Sequence, residues 1–269
     1  MSDSAPALDG FEHSTFTHDG KTRDVFRTGA GPAVIVIAEI PGITPQVAEF
    51  GSKVAALGCT AVLPRLFGVT GKPLSAGYAM QSIGPACISR EFACFALRKT
   101  SPVTVWLRAL ARKMHGECGG PGVGAVGMCF TGGFALAMMV DDIVLAPVLS
   151  QPSLPFPVSK RHRRDLGISD DDLARVKQRC ADEADLCVLG LRFTHDRAVP
   201  PERFQRLRDE LGDKFVAVEI DSSPGNPHGH PKGAHSVLTN HLDDRPGTPT
   251  RDALDKVLDL FRSKLLTAG

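Results

Sequence analysis

The sequence predicts an α/β domain with a doubly wound, mostly parallel sheet and an antiparallel hairpin at its N-terminal edge. Apolar, β-branched runs such as residues 33–38 are typical of strands that helices cover on both faces. Amphipathic helical segments alternate with these runs, as βαβ units require. The 269 residues, 42% of them hydrophobic, can bury a continuous core. We therefore expect a single domain over residues 1–269, with residues 1–10 as a flexible extension.

The predicted elements follow one another in a regular order. Residues 11–28 form two polar strands that meet at the Asp19-Gly20 turn, a dipeptide suited to a hairpin. Residues 68–88, rich in Gly, Ser and Pro, are predicted to be a long loop that serves as a lid or pocket wall. Further strands are expected at 33–38, 60–63, 123–127, 186–193 and 215–220, with an apolar segment at 143–146, and helices at 46–57, 103–115, 132–139, 201–211 and 251–266.

Composition narrows the class of function. The formal net charge of +1 gives no excess of positive charge that would attract nucleic acid. No apolar stretch is long enough to span a bilayer, so neither nucleic acid nor a membrane is expected as a partner. Seven cysteines with no pair two residues apart, and no secretory signal, predict a reducing cytoplasm. The basic run at 160–164 is followed by acidic residues 170–172, and we interpret it as a solvated surface rather than an anion site.

The segment 123–136 carries the most chemical information. A buried strand runs into Cys129 and then directly into a helix, and glycines flank the cysteine at Gly127 and Gly132. This is the layout of a nucleophile elbow, in which small neighbours let the backbone turn sharply. A thiol there faces the positive end of the helix, which favours the thiolate, and the Phe130 amide can point to a developing oxyanion.

Two other interpretations of this segment remain open. A lone cysteine after a strand is by default a small core residue, and the other six cysteines are assigned to that class. The segment also matches a GxGxxG pattern at Gly122, Gly124 and Gly127, with Asp141 and Asp142 downstream. A dinucleotide fingerprint needs its glycines after the strand, whereas these glycines precede and fill it, so the elbow is favoured.

A nucleophile needs a base and a carboxylate that orients the base. Asp196 follows the strand at 186–193 and is the expected acid; His195 beside it is a weaker candidate, because orienting an imidazole requires a carboxylate. Of the later histidines we favour His235, since the apolar turn after it can hold it in place. The alternatives for the base are His228, His230 and His241. A metal site formed by His228, His230 and His235 is not favoured, because no carboxylate or cysteine pair accompanies it.

Together these motifs resemble the dienelactone hydrolase family of α/β-hydrolases over about residues 20–266. The resemblance rests on Ala38-Glu39-Ile40-Pro41-Gly42, Gly127-x-Cys129 with Gly132-Gly133, Asp196 with Val199-Pro200, and Gly233-Ala234-His235-Ser236. It implies the α/β-hydrolase fold and a triad of Cys129, His235 and Asp196. It also implies an oxyanion hole from the Ile40 and Phe130 amides, and a Glu39 that contacts the resting thiol and helps to activate it when substrate enters.

The sequence also departs from the family's pattern. Family members that hydrolyse dienelactone hold its carboxylate with arginines, one of them four residues after the histidine, where this chain has Thr239. Arg90 is a candidate for another of these arginines, so Arg90 and Thr239 are the candidate substrate-binding residues. Thr131 stands where the best-known family member has a glycine directly after the oxyanion amide. We therefore expect small esters or lactones rather than dienelactone itself.

The predicted function is ester or lactone hydrolysis through a thioester at Cys129, without metal or organic cofactor. Phe193, His195 and Trp106 are suggested as pocket residues. The alternative is a non-catalytic, redox-responsive protein that binds small ligands, in which Cys129 is oxidised rather than acylated.

Overall fold

A computed structural model describes residues 8–75, 77–79, 81–82 and 101–266. Arg90, most of the expected N-terminal extension and part of the loop 68–88 lie outside these residues. No helix within the described residues is long and apolar enough to cross a bilayer.

Eight strands form one sheet in the order β1-β2-β4-β3-β5-β6-β7-β8. Strand β2 pairs antiparallel with both β1 and β4, and every other pairing is parallel. The predicted mostly parallel sheet with an antiparallel N-terminal hairpin is confirmed. The strands are β1 Glu12–His18, β2 Lys21–Gly29, β3 Ala33–Ile37, β4 Thr60–Pro64, β5 Val123–Met128, β6 Val144–Ser150, β7 Val188–Phe193 and β8 Phe215–Ile220.

The helices lie on both faces of this sheet. They are α1 Pro45–Ala56, α2 Pro102–Cys118, α3 Gly132–Met138, α4 Lys160–Arg164, α5 Asp170–Asp182, α6 Pro201–Leu211 and α7 Pro249–Phe261. A hydroxyl caps the start of several of them: Thr44 accepts from the Val47 amide before α1, and Ser101 accepts from the Thr104 amide before α2. The closing helix was predicted over 251–266. Its α-helical part ends at Phe261, and Arg262–Leu266 form a π-helical turn.

Two apolar layers separate the helices from the sheet. Along β3, Ile35 and Ile37 point into the layer formed with α2, α3, α5 and α6, whereas Val34 and Val36 point into the layer formed with α1 and α7. All four side chains are fully buried. The continuous apolar pattern of this strand follows from its place between the two layers.

One predicted segment was wrong: residues 77–79 and 81–82, within the predicted loop 68–88, are helical. The basic run forms the short helix α4, where Arg163 and Arg164 pair with Glu202 and Asp209 of α6. The apolar segment at 143–146 leads into strand β6, which extends to Ser150, since residues 148–150 pair with both neighbouring strands.

Trp106 is not a pocket residue. It lies on α2, is 2% exposed and donates from Nε1 to the Lys21 carbonyl at 3.0 Å. Its ring contacts Phe16 and the Arg23 guanidinium, both on the hairpin at the edge of the sheet. The side chain therefore fastens this hairpin to α2.

The segment between β6 and α5 is held by one buried arginine, Arg203 of α6. Its guanidinium donates to the carbonyls of Pro152 at 2.7 Å, Asp165 at 2.8 Å, Pro155 at 2.5 Å and His162 at 2.9 Å. The side chain is 1% exposed, and burial lowers its pKa to about 10, so it remains charged at neutral pH. One side chain thus satisfies four main-chain carbonyls of an irregular segment.

Replacing Arg203 with lysine should lower the free energy of unfolding by about 2 to 4 kcal/mol, because an ammonium cannot reach all four carbonyls and leaves some of them unpaired. Urea denaturation measures the change. Arg206→Lys on the same helix is the control: Arg206 makes a partly exposed ion pair with Glu210 one turn along the helix, and the loss should stay below about 1 kcal/mol. Equal losses in the two variants would contradict the role given to Arg203.

Candidate functional site

Cys129 follows β5 directly, at the carboxyl end of a strand in the middle of the sheet. Its backbone has φ +54°, a left-handed conformation that non-glycine residues rarely adopt. Strain of this kind is characteristic of a nucleophile on a strand-to-helix turn. The backbone therefore has the predicted elbow geometry.

Two glycines make the turn possible because the backbone passes close to their Cα atoms. A Cβ on Gly127 would lie 2.2 Å from the Thr131 carbonyl oxygen, and one on Gly132 would lie 2.4 Å from Cα of Pro152. Both contacts are with backbone atoms, which cannot move aside as a flexible side chain can. The flanking glycines thus allow the chain to fold tightly around Cys129.

Thr131 joins the elbow to the neighbouring strand. Its hydroxyl accepts from the Met128 amide at 2.9 Å and lies 2.8 Å from the Ile37 carbonyl at the end of β3. The residues just after β3, including Ile40, therefore leave the sheet beside Phe130. Thr131 thus connects the two segments that carry the candidate oxyanion amides.

Asp196 and His235 meet beside the elbow. The Asp196 Oδ2 and His235 Nδ1 atoms are 2.6 Å apart, and the second Asp196 oxygen accepts from the Ala198 amide at 2.9 Å. A carboxylate on Nδ1 orients the imidazole so that Nε2 is left for Cys129. Burial works to lower the pKa of His235, but the adjacent Cys129 sulfur and Asp196 carboxylate outweigh it and raise this pKa well above its ordinary value. The imidazole is thus disposed to accept a proton.

The other candidate histidines do not occupy this position. Burial lowers the pKa of His241, and its Nδ1 accepts the main-chain amides of His235 and Ser236 at 3.3 and 3.2 Å. His241 therefore holds the backbone of the favoured base. His230 is buried against Phe193, and His228 is exposed on the same loop.

Glu39 follows strand β3 and is buried, with 2% of its surface exposed. The Ser236 hydroxyl donates to its Oε2 at 2.6 Å, the Gln151 amide reaches the same oxygen at 3.4 Å, and the Thr239 hydroxyl donates to Oε1. Thr239, the candidate substrate-binding residue, is itself buried with its hydroxyl on this carboxylate. Neutral donors therefore surround Glu39.

The sulfur, the imidazole and the Glu39 carboxylate form one cluster. One potential ligand atom from each of Cys129, His235 and Glu39 lies within 4.8 Å of the other two. The Ser153 hydroxyl is 3.5 Å from Cys129 Sγ, and the Ser153 amide donates to the Cys129 carbonyl at 2.9 Å. The side chains of His235, Glu39 and Ser153 thus converge on the Cys129 sulfur.

Sequence reasoning missed Gln151, Ser153 and Ser236. Gln151 is fully buried with φ +37°, and its Oε1 accepts from the Val237 amide at 3.3 Å while its Nε2 reaches Glu39. No motif marks Gln151 or Ser153, and Ser236 entered only as the residue after His235 in a motif; each of the three acts on a partner distant in sequence. The one available signal was a run of polar residues directly after an apolar strand, at 150–153.

A cleft of about 490 Å³ opens beside the imidazole and carboxylate pair. His195 is exposed and belongs to its wall, as predicted, whereas Phe193 is fully buried against His230 and His241 and does not line it. The lining residues are His195, Asp196, Arg197, Ala198, Lys232, Gly233 and His235. Such a concave site is of the size that small molecules occupy.

Comparison with known proteins gives the family. The model of the dienelactone hydrolase family matches residues 23–265. The chain belongs to the dienelactone hydrolase family. Its eight-stranded sheet is that of the α/β-hydrolase fold, and membership supports a hydrolase that acts on a small molecule. No curated protein sequence matches the chain significantly.

Three solved structures illustrate the fold of the family. A provisionally named dienelactone hydrolase from Klebsiella pneumoniae has TM-score 0.62 and 16% identity, covering 93% of this chain and 97% of that one. The dienelactone hydrolase-like promiscuous phosphotriesterase P91, from metagenomic libraries, has TM-score 0.63 and 16% identity, with coverages of 95% and 98%. The protein m3DLH has TM-score 0.61 and 20% identity, with coverages of 95% and 99%. At these identities the likeness concerns the fold.

Replacing Gly127 with alanine should cost at least about 2 kcal/mol of unfolding free energy, because the new methyl group collides with the Thr131 carbonyl. Gly116→Ala, at an exposed position of helix α2, meets no atom within 4 Å and should instead raise the free energy of unfolding by about 0.5 to 1 kcal/mol. Urea denaturation of both variants measures these values. A Gly127→Ala variant as stable as the parent protein would contradict the tight elbow.

Proposed function

We propose that this protein hydrolyses small esters or lactones, with Cys129 as the nucleophile of a Cys129, His235 and Asp196 triad. The observation that carries the proposal is the placement of the sulfur on a strained turn, within 4.8 Å of an imidazole that a buried carboxylate holds at 2.6 Å. Nucleophile, base and orienting acid are the three parts that acyl transfer requires.

The first half of the reaction forms a thioester. His235 Nε2 takes the thiol proton, and Cys129 Sγ attacks the carbonyl carbon to give a tetrahedral oxyanion. The oxyanion collapses, the bond to the leaving oxygen breaks, and the imidazolium returns its proton to that oxygen. Asp196 stabilises the imidazolium between these two proton transfers.

The second half regenerates the thiol. His235 removes a proton from water, the resulting hydroxide attacks the thioester carbon, and a second tetrahedral oxyanion forms. Its collapse releases the carboxylic acid and returns the proton from His235 to the sulfur. A lactone follows the same steps, except that its alcohol remains attached to the acid.

The oxyanion hole is assigned to the main-chain amides of Ile40 and Phe130. Two features support this assignment. Strands β3 and β5 are parallel neighbours, with Ile37 opposite Gly127, so the segments after them leave the sheet side by side. Thr131 then fixes the elbow against the end of β3. Donors held in this way need no reorganisation when charge develops in the transition state.

Glu39 is assigned a part in controlling the thiol. The resemblance to the family implies that this carboxylate contacts the resting thiol and helps to activate it when substrate enters. Its position, with a ligand atom within 4.8 Å of the sulfur and of a His235 nitrogen, supports that part. The hydrogen bonds from Ser236, Gln151 and Thr239 hold the carboxylate in place. When substrate approaches the sulfur, transfer of the thiol proton to His235 produces the attacking thiolate.

Hydrolysis of 4-nitrophenyl acetate and of small lactones, followed by absorbance and by pH-stat titration, tests this proposal. Cys129→Ala should lower kcat/KM by at least about a thousandfold, since no other group replaces the nucleophile. His235→Gln should lower it by at least about a hundredfold through loss of the general base.

His228→Gln is the matched control, because this exposed histidine lies on the loop before His235 and should retain nearly full activity. Loss of activity in His228→Gln with normal activity in His235→Gln would contradict the assigned base. Full activity in Cys129→Ala would contradict the assigned nucleophile. Absence of turnover on every ester, together with peroxide-dependent oxidation of Cys129, would instead favour the redox-responsive alternative.

A further inference from the structure

We propose that Glu39, Cys129 and His235 bind a divalent transition-metal ion, Zn²⁺ foremost, and that this ion inhibits the enzyme. Sulfur, imidazole nitrogen and carboxylate oxygen are the three donor types that Zn²⁺ uses in proteins. Among the described residues, this is the one group of three potential ligands from His, Cys, Asp and Glu that comes together. Binding of the metal is a property of the side chains, and only its inhibitory effect rests on the proposed function.

The distances suit a small tetrahedral ion. The three ligand atoms lie within 4.8 Å of one another. Zinc bonds of about 2.3 Å to sulfur and about 2.0 Å to nitrogen or oxygen would separate such atoms by roughly 3.5 Å. Each donor therefore has to move by about an ångström or less, a shift that side-chain torsions can supply.

The balance of charge also favours a cation. Within the described part of the chain, no lysine or arginine pairs with Glu39, whose hydrogen bonds come from neutral groups. A thiolate beside this carboxylate would place two negative charges close together in a buried site. A divalent cation between them compensates both charges, so the complex with neutral His235 has no net charge from these groups.

The surrounding residues already orient these donors as a metal site requires. Asp196 holds His235 Nδ1 at 2.6 Å, the carboxylate–histidine arrangement that directs the other ring nitrogen toward a metal. Ser236 and Gln151 fix one oxygen of Glu39, and Thr239 fixes the other. Three protein ligands leave a fourth position for water, beside the Ser153 hydroxyl that lies 3.5 Å from the sulfur.

The site and the catalytic centre share two groups, and this determines the effect of the metal. An ion held by Cys129 and His235 occupies the sulfur lone pairs and the nitrogen that would accept the thiol proton. Ester and metal therefore exclude each other, and inhibition should be competitive and reversed by a chelator.

Titration of the purified full-length protein with Co²⁺, after treatment with EDTA and a thiol reductant, tests the site directly. A thiolate ligand gives an intense near-ultraviolet sulfur-to-cobalt band, and we expect it to saturate at one equivalent. Cys129→Ser should abolish the band. Glu39→Gln removes the charge and keeps a hydrogen-bonding oxygen. It should lower the affinity for Zn²⁺ at least about tenfold, measured in competition with a chromophoric chelator.

Two control variants separate this site from other possible ligands. Cys118→Ser removes another half-buried thiol, and His228→Gln removes an exposed histidine near His230; neither should change the band or the affinity. If Glu39→Gln proves too unstable to purify, Glu39→Asp serves instead. It keeps the charge but withdraws it by one methylene, and should also lower the affinity for Zn²⁺. Undiminished binding in Cys129→Ser or in both Glu39 variants would overturn the proposal, as would absence of the band.

The same preparations keep this proposal distinct from the proposed function. Ester hydrolysis by the chelator-treated protein, without any cobalt band, would refute the metal site alone. A saturable band from Cys129 in a protein that hydrolyses no ester would refute the hydrolase alone. Both proposals predict hydrolysis that Zn²⁺ abolishes and EDTA restores.

Discussion

The left-handed backbone of Cys129 is the constraint on which the site depends. It turns the chain at the end of β5, so that the sulfur leaves the sheet edge while helix α3 begins three residues later. The turn exists only because Gly127 and Gly132 lack side chains, since a Cβ atom on either would lie 2.4 Å or less from the main chain. Thr131 and Ser153 then bind the turn to its neighbours. Strain at one residue is thereby offset by contacts over the surrounding loops.

Two buried carboxylates near the sulfur have different surroundings, and these surroundings separate their proposed roles. Asp196 contacts an imidazole directly, which favours a charged pair during proton transfer. Glu39 is surrounded by hydroxyl and amide donors and can affect the sulfur only through space or through a shared ion. Thr239, four residues after His235, is one of those donors. Among the described residues, no lysine or arginine pairs with Glu39, and its hydrogen bonds come from neutral groups.

Local patterns allowed most of the fold to be predicted. Strand β3 and the elbow are encoded by contiguous residues, and the order of nucleophile, acid and histidine follows from the strands that precede them. The contacts of Glu39 were beyond sequence reasoning, because Gln151 and Ser236 are 112 and 197 residues away in the chain. Trp106 was misjudged because an aromatic residue suits a pocket and a helix–hairpin contact equally well. Side-chain burial, which separates these cases, depends on tertiary packing.

The most direct test of the central claim is intact-protein mass spectrometry after brief mixing with an activated ester and an acid quench, followed by peptide mapping. Nucleophilic catalysis by the thiol predicts one acyl group per protein, located on Cys129 and absent from Cys129→Ala. An acyl group on Ser153 or another residue, or rapid hydrolysis by a Cys129→Ala protein, would contradict the account.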